Sequence, residues 1–156
     1  MPPKKDSHKA LEEYALKILG GKRYSMREMQ EKLEKRIKNP KHSGTDEDIY
    51  SIIEKLKKYK YLDDEDYAAV YISDQLKRKP QGLRLLKTSL SLKGIPAEIV
   101  ARALDGKEID EITLAASAAE KKKRSLGKFA PQVQREKLYR FLLSRGFNTE
   151  TILRVL

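Results

Sequence analysis

The chain of 156 residues contains no cysteine and no tryptophan, only three phenylalanines and only two histidines. Without cysteine there is no disulfide and no thiolate chemistry, and nothing marks an oxidising compartment. The histidines, His8 and His42, fall near the start and in a turn-forming stretch, where neither is expected to be held rigidly enough for acid–base work. Gly20-Gly21-Lys22 lacks the upstream glycine and the following hydroxyl residue of a phosphate loop. Asp63-Asp64-Glu65-Asp66 lacks the ligand spacing and turn glycine of a calcium loop. No apolar run approaches the ~20 residues that cross a bilayer. The stretch Met1 to Lys9 is charged and lacks the apolar segment of a leader, so residues 1–9 are expected to form a flexible basic tail. These absences predict a cytoplasmic protein without catalysis, cofactor, metal or membrane attachment.

What is abundant is charge. Charged residues make up 37% of the chain against 39% hydrophobic, which predicts several small cores rather than one large one. Leu, Ala, Lys, Glu and Arg dominate, and these favour helices over sheets. The fold class is expected to be all-α.

The chain also repeats itself. The pattern Leu86-x3-Leu90-x2-Lys93-Gly94-Ile95-x2-Glu98-x-Val100-x-Arg102-x-Leu104 returns as Leu138-x3-Leu142-x2-Arg145-Gly146-Phe147-x2-Glu150-x-Ile152-x-Arg154-x-Leu156. A repeat that keeps its apolar positions, turn glycine and charges implies one supersecondary unit used more than once. Aligning Leu33 with Leu90 and Leu56 with Leu104 yields a third, earlier copy with a longer turn at Asn39 to Gly44. Helical spacing within each copy predicts nine helices in three bundles of three, over residues 10–60, 61–107 and 108–156.

Local signals mark the boundaries. Ser25-Met26-Arg27-Glu28 reads as a capping box, in which hydroxyl and carboxylate each satisfy a free backbone N–H. Thr45, the acidic cluster Asp63 to Asp66, and Asn148 suit helix N-termini. Gly94 and Gly146 are expected at positive φ, ending one helix and letting Ile95 and Phe147 fold back. In the helix after Asp110, Ile112, Ala115, Ala116 and Ala119 form the expected buried face.

The net charge of +11 is uneven: +6 over residues 1–62, zero over 63–106 and +5 over 107–156. Lysine and arginine on repeated helices suit a polyanion, since neutralised phosphates release counterions whatever the base sequence. The same side chains also fit a solvated helix face, and Lys121 to Arg124 complement a helix C-terminus. Few side chains suited to base edges occur on the last helix of either copy, so phosphate contact fits better than sequence reading. Lys57-Lys58-Tyr59-Lys60-Tyr61 interleaves cations with rings, as single-stranded nucleic acid would use. Tyr59 and Tyr61 fit better as a cover over the junction of the first two bundles.

Several stretches together resemble the RecX family of bacterial recombination regulators: Ser25-x2-Glu28-x4-Leu33, Tyr61-Leu62-Asp63-Asp64-x-Asp66-Tyr67-Ala68, Gly82-x3-Leu86-x3-Leu90-x2-Lys93-Gly94-Ile95, and Phe141-Leu142-x2-Arg145-Gly146-Phe147-x4-Ile152-x2-Val155. The resemblance implies three tandem three-helix, helix-turn-helix-like repeats in an elongated, curved molecule. It implies a partner, the RecA recombinase filament on single- or double-stranded DNA, whose ATP hydrolysis, strand exchange and coprotease activity the family modulates, usually by inhibition. The protein is expected to act as a monomer. The expected contact residues for filament or nucleic acid are Arg84, Lys87, Lys93, Lys121, Lys122, Lys123, Arg124, Arg135, Arg140 and Arg145. Asp63, Asp64 and Asp66 are candidates for contact with a protein partner. The alternatives are a stand-alone, sequence-nonspecific nucleic-acid-binding module and a helical adaptor whose charge is incidental.

Overall fold

The computed structural model describes residues 4–156, which among them form nine α-helices and no strand. The first unit holds α1 (Lys4–Leu19), α2 (Met26–Ile37) and α3 (Asp46–Lys58). The second holds α4 (Asp64–Arg78), α5 (Leu83–Leu92) and α6 (Ala97–Leu104). The third holds α7 (Glu111–Lys123), α8 (Pro131–Ser144) and α9 (Thr149–Val155), with a 3-10 turn at Arg124–Leu126. No helix among the described residues is long and apolar enough to cross a membrane.

Each unit buries its own apolar faces. Leu11, Met29, Leu33, Ile52 and Leu56 meet in the first, Ala68, Ile72, Leu90, Ile95 and Val100 in the second, and Leu138, Leu142, Phe147 and Ile152 in the third. The equivalent leucines Leu90 and Leu142 are both fully buried. The expected caps form. Ser25 accepts from the Glu28 N–H while the Glu28 carboxylate accepts from the Ser25 N–H, and Thr45 and Asp48 do the same. Asp63 caps α4 and Asn148 caps α9. Gly94 and Gly146 stand at φ +78° and +83°, and Ile95 and Phe147 donate back to the carbonyls of Leu90 and Leu142.

Several expectations need correction. The segment from residue 4 to residue 9 is not a tail, because it is the first part of α1. It is held by tertiary contacts: Ser7 is buried, and His8 Nδ1 lies 3.0 Å from Asp48 Oδ1 on α3. His8 is therefore anchored, and residues 1–3 lie outside the described residues. On α7, Ile112 and Ala116 are exposed, whereas Ala115, Ala118 and Ala119 are buried. Packing against both α8 and α9 turns the small-residue face inward. Leu62, placed by its sequence at the opening of the second unit, packs in the first core. Tyr59 and Tyr61 do not cover a junction: they are 60% and 59% exposed.

The units are joined by one device used twice. At the first junction the turn Lys93-Gly94 sits on the N-terminus of α2. Ser25 Oγ donates to the Lys93 carbonyl at 2.6 Å, and the Asp64 carboxylate accepts from the Met26 N–H at 3.0 Å. At the second junction the turn Arg145-Gly146 sits on the N-terminus of α5. The Gly82 N–H donates to the Arg145 carbonyl at 2.8 Å, and the Glu111 carboxylate accepts from the Leu83 N–H at 2.8 Å. In both places a carboxylate from the first residue of the next unit's first helix satisfies an N–H that its own helix leaves free. The longer turn Asn39 to Gly44 stands at the equivalent place in the first unit.

The first junction also carries ionic contacts. Lys93 Nζ lies 3.1 Å from Glu28 Oε1, and Arg23 pairs with Asp66. Burial pushes the Glu28 carboxyl up, but the Ser25 N–H and the Lys93 ammonium outweigh it and leave the pKa below its ordinary 4.5. For Lys93, burial pulls the pKa down, and the bond to Glu28 outweighs that and raises it above 10.5. Glu28 therefore contributes stability that is present above the ordinary carboxylate value and is lost as pH falls through its folded value. Asp64 has the opposite sign. Burial raises its pKa, opposed by the Met26 N–H and helped by Asp63 and Glu28. The folded state then holds a proton more tightly than the unfolded chain, so Asp64 costs stability as pH rises through its folded value.

Asp64→Asn keeps an oxygen to accept from Met26 and removes the charge. Its melting temperature at pH 7 should equal or exceed that of the wild type, with a steeper loss on acidification to about pH 4. Glu28→Gln should melt lower at pH 7 and lose less on acidification. Thermal melts by circular dichroism across pH check both.

Candidate nucleic-acid interface

Positive side chains reach this surface because helices end in them. Lys77 and Arg78 close α4, Lys121, Lys122 and Lys123 close α7, and Arg145 caps the C-terminal end of α8. Cations there oppose the partial negative charge of unsatisfied carbonyls. The turn that seats Gly146 on α5 brings the third unit's helix ends beside the end of α4.

The ten expected contact residues fall into several places. Lys121, Lys122 and Arg145 line one cleft between the second and third units. Lys123 and Arg135 line another, within the third unit, together with Glu120. Lys87 lines the groove between α5 and α6. Arg84 bridges the second junction, its guanidinium donating to the Leu143 carbonyl at 3.1 Å. Arg135 donates to the Leu156 carbonyl, and Arg140 pairs with Glu136 one turn away. Arg124 begins the 3-10 turn and is exposed. Lys93 is committed to Glu28 at the first junction.

The acidic candidates are largely committed within the chain. Asp64 is 6% exposed and its carboxylate serves Met26, which removes it as a partner contact. Asp63 caps α4 and lies 3.7 Å from Lys60, while Asp66 pairs with Arg23. Arg78, which lines the same cleft as Lys121, Lys122 and Arg145, is not among the expected contact residues. Its signal is the run Lys77-Arg78-Lys79 before Pro80, which marks a helix end rich in charge but not what that end faces. Glu111 is not among the expected residues either, and the match of its place at the start of the third unit to that of Asp64 at the start of the second is the available clue.

Tyr59 and Tyr61 stand in solvent beside Lys58, whose ammonium is 5.9 Å from the Tyr59 ring centre. Lys60 between them has φ +61°, the left-handed conformation usual for glycine at a helix end. Among the described residues no cluster of His, Asp and Glu is arranged to hold a metal ion.

Comparison with known proteins agrees with this architecture. Residues 63–104 match the family model for the second three-helix domain of RecX, and residues 108–156 match that for the third. Regulatory protein RecX of Chlorobaculum tepidum is 35% identical over 141 residues, covering 90% of this chain and 82% of that protein. Regulatory protein RecX of Clostridium botulinum (strain Eklund 17B / Type B) is 38% identical over 128 residues, covering 78% of this chain and 58% of its own length. The crystal structure of RecX from Lactobacillus salivarius shares the fold with a TM-score of 0.76 at 23% identity, over 97% of this chain and 95% of that one. With capped three-helix units, repeated glycine junctions and sequence identity running along most of its length, the chain belongs to the RecX family of regulatory proteins.

Proposed function

We propose that this protein regulates the RecA recombinase by engaging the RecA–DNA filament at several points and lowering its ATP hydrolysis, strand exchange and coprotease activity. The observation that carries the reading is the row of three separately cored units, each locked to the next by the same turn-on-helix junction. A row of joined units carries several contact surfaces on one chain, so weak contacts to successive protomers of a polymer add through effective concentration. Cations on the second and third units add attraction to the filament's phosphates.

The test compares binding to a RecA–single-stranded DNA filament, free RecA and bare DNA across a salt series. Binding tightest to the filament, with ATP hydrolysis falling at near-equal or lower ratios of protein to RecA, is the expected result. A second reading, a stand-alone nucleic-acid module, is favoured by the exposed Tyr59 and Tyr61 among lysines. Equal affinity for bare DNA and filament would select it.

A further inference from the structure

We propose that the cleft between the second and third units is a phosphate-binding site built from Arg78, Lys121, Lys122 and Arg145. The inference deepens the proposed function by naming the ligand chemistry of one part of the surface. It rests on that function only in taking nucleic acid as the source of the phosphate. The cleft has a volume of about 270 Å³, room for a tetrahedral oxyanion. Besides the four cations it is lined by Pro80, Ala118, Ser125 and Phe141, and by no carboxylate.

Charge accounting favours an anion. None of the four cations has an ion-pair partner among the described residues, although Glu28, Glu65, Glu136 and Glu150 each hold a cation elsewhere. Three helix C-termini converge here, each worth roughly half a negative charge. They offset part of the four positive charges and leave about two to three uncompensated.

Two of the cations, Lys122 and Arg145, share an uncharged neighbour. Lys122 Nζ lies 5.5 Å and the Arg145 guanidinium carbon 5.6 Å from the Phe141 ring centre. The ring's π face attracts both without neutralising either. The Ser125 hydroxyl donates to the Lys122 carbonyl at 2.7 Å, so the donors left for a ligand are the four cations. Arg145 Nε is buried with no hydrogen-bond partner, an arrangement that costs stability. An oxyanion in the cleft gives that N–H an acceptor once the guanidinium turns toward it, in the side-on fork that arginine offers phosphate. The Arg145 carbonyl is meanwhile bonded to Gly82, so an occupied cleft also ties the ligand to the junction.

The test uses the full-length protein and inorganic phosphate as the probe, at ionic strength matched with chloride. Phosphate at ten times its dissociation constant should raise the melting temperature by about 3–5 °C. Arg78→Gln combined with Lys122→Gln keeps both stems, relieves repulsion and leaves the junction backbone untouched. In chloride this variant should still fold, with any loss of helix-end charge read in its own chloride melt, and it should lose the phosphate increment measured from that baseline. An equal increment in both proteins is a general salt effect and overturns the site, as does no increment in the wild type.

A second arm measures binding of a thymidine oligonucleotide. A fall of about fivefold or more, with a salt slope shallower by about one, identifies the nucleic-acid backbone as the source of phosphate. Unchanged oligonucleotide binding with a lost phosphate increment identifies a free phosphate ligand. Filament binding without any phosphate increment rejects the site and leaves the regulator reading standing.

Discussion

Gly146→Val is expected to destabilise the protein by about 3 kcal/mol or more, because it combines backbone strain with a clash between units. At φ +83° a β-branched residue is held in a region that costs roughly 1–2 kcal/mol. A Cβ at this position would also stand 2.4 Å from Leu85 Cβ and 2.6 Å from Leu85 N, on the neighbouring unit. Two other glycines separate the contributions. Gly106 has φ +68° with nothing within 4 Å of an added Cβ, so Gly106→Ala reports strain alone, about 1 kcal/mol. Gly82 has an ordinary φ of −76°, but an added Cβ would stand 2.2 Å from the Gly146 carbonyl oxygen. Gly82→Ala therefore reports the clash alone, roughly 1–3 kcal/mol.

Chemical denaturation of the three variants checks the order Gly106→Ala, Gly82→Ala, Gly146→Val. In a row of units, stability is the sum of unit and nearest-neighbour contributions, so breaking a junction should also broaden the transition as the third unit uncouples. A Gly146→Val midpoint equal to that of Gly106→Ala would show that the junction does not couple the units.

Reversing Arg84, Lys87, Arg140 and Arg145 to glutamate should weaken nucleic-acid or filament binding by about a hundredfold or more at low salt. Each single-strand phosphate that the protein no longer neutralises flattens the dependence of log affinity on log salt by about 0.7, so four such phosphates flatten it by about 3. The geometry divides the four. Arg84 also bridges to Leu143 and Arg145 also lies over Phe141, so their reversal affects the junction as well as the charge. Lys87 is exposed and Arg140 has only Glu136, one turn away, as partner. Lys87→Glu with Arg140→Glu should keep the wild-type melting curve while removing about half of that slope difference. Binding measured by anisotropy from low to physiological salt decides this. Affinity and slope at wild-type values in a folded quadruple variant would remove these residues from the contact surface.

How far the fold could be read in advance follows from the range of the interactions. Capping, helix period and glycine turns act within about four residues. Ser25, Thr45, Asn148, Gly94 and Gly146 therefore show their roles directly in the chain. The failures were tertiary. Residues 4–9 resemble a polar tail because the partner of His8, Asp48, stands 40 residues away. Asp64 resembles a surface acid because its hydrogen-bond donor, the Met26 N–H, is 38 residues earlier. The ring size of Tyr59 and Tyr61 suggests burial at a junction, yet polar pairs and glycine contacts fill that place.

The sequence by itself determined three helical units, their order and their family, since repeated spacing and local propensity specify helices wherever the units lie in space. It also determined that positive charge would collect at helix ends. Only the tertiary structure decided which of those charges are neutralised. Lys93 met Glu28 and Arg102 met Glu65, whereas Arg78, Lys121, Lys122 and Arg145 converged on a cleft without a carboxylate. Charge neutralisation depends on distances of a few ångströms between residues far apart in the chain, and the packing of one unit on the next sets those distances.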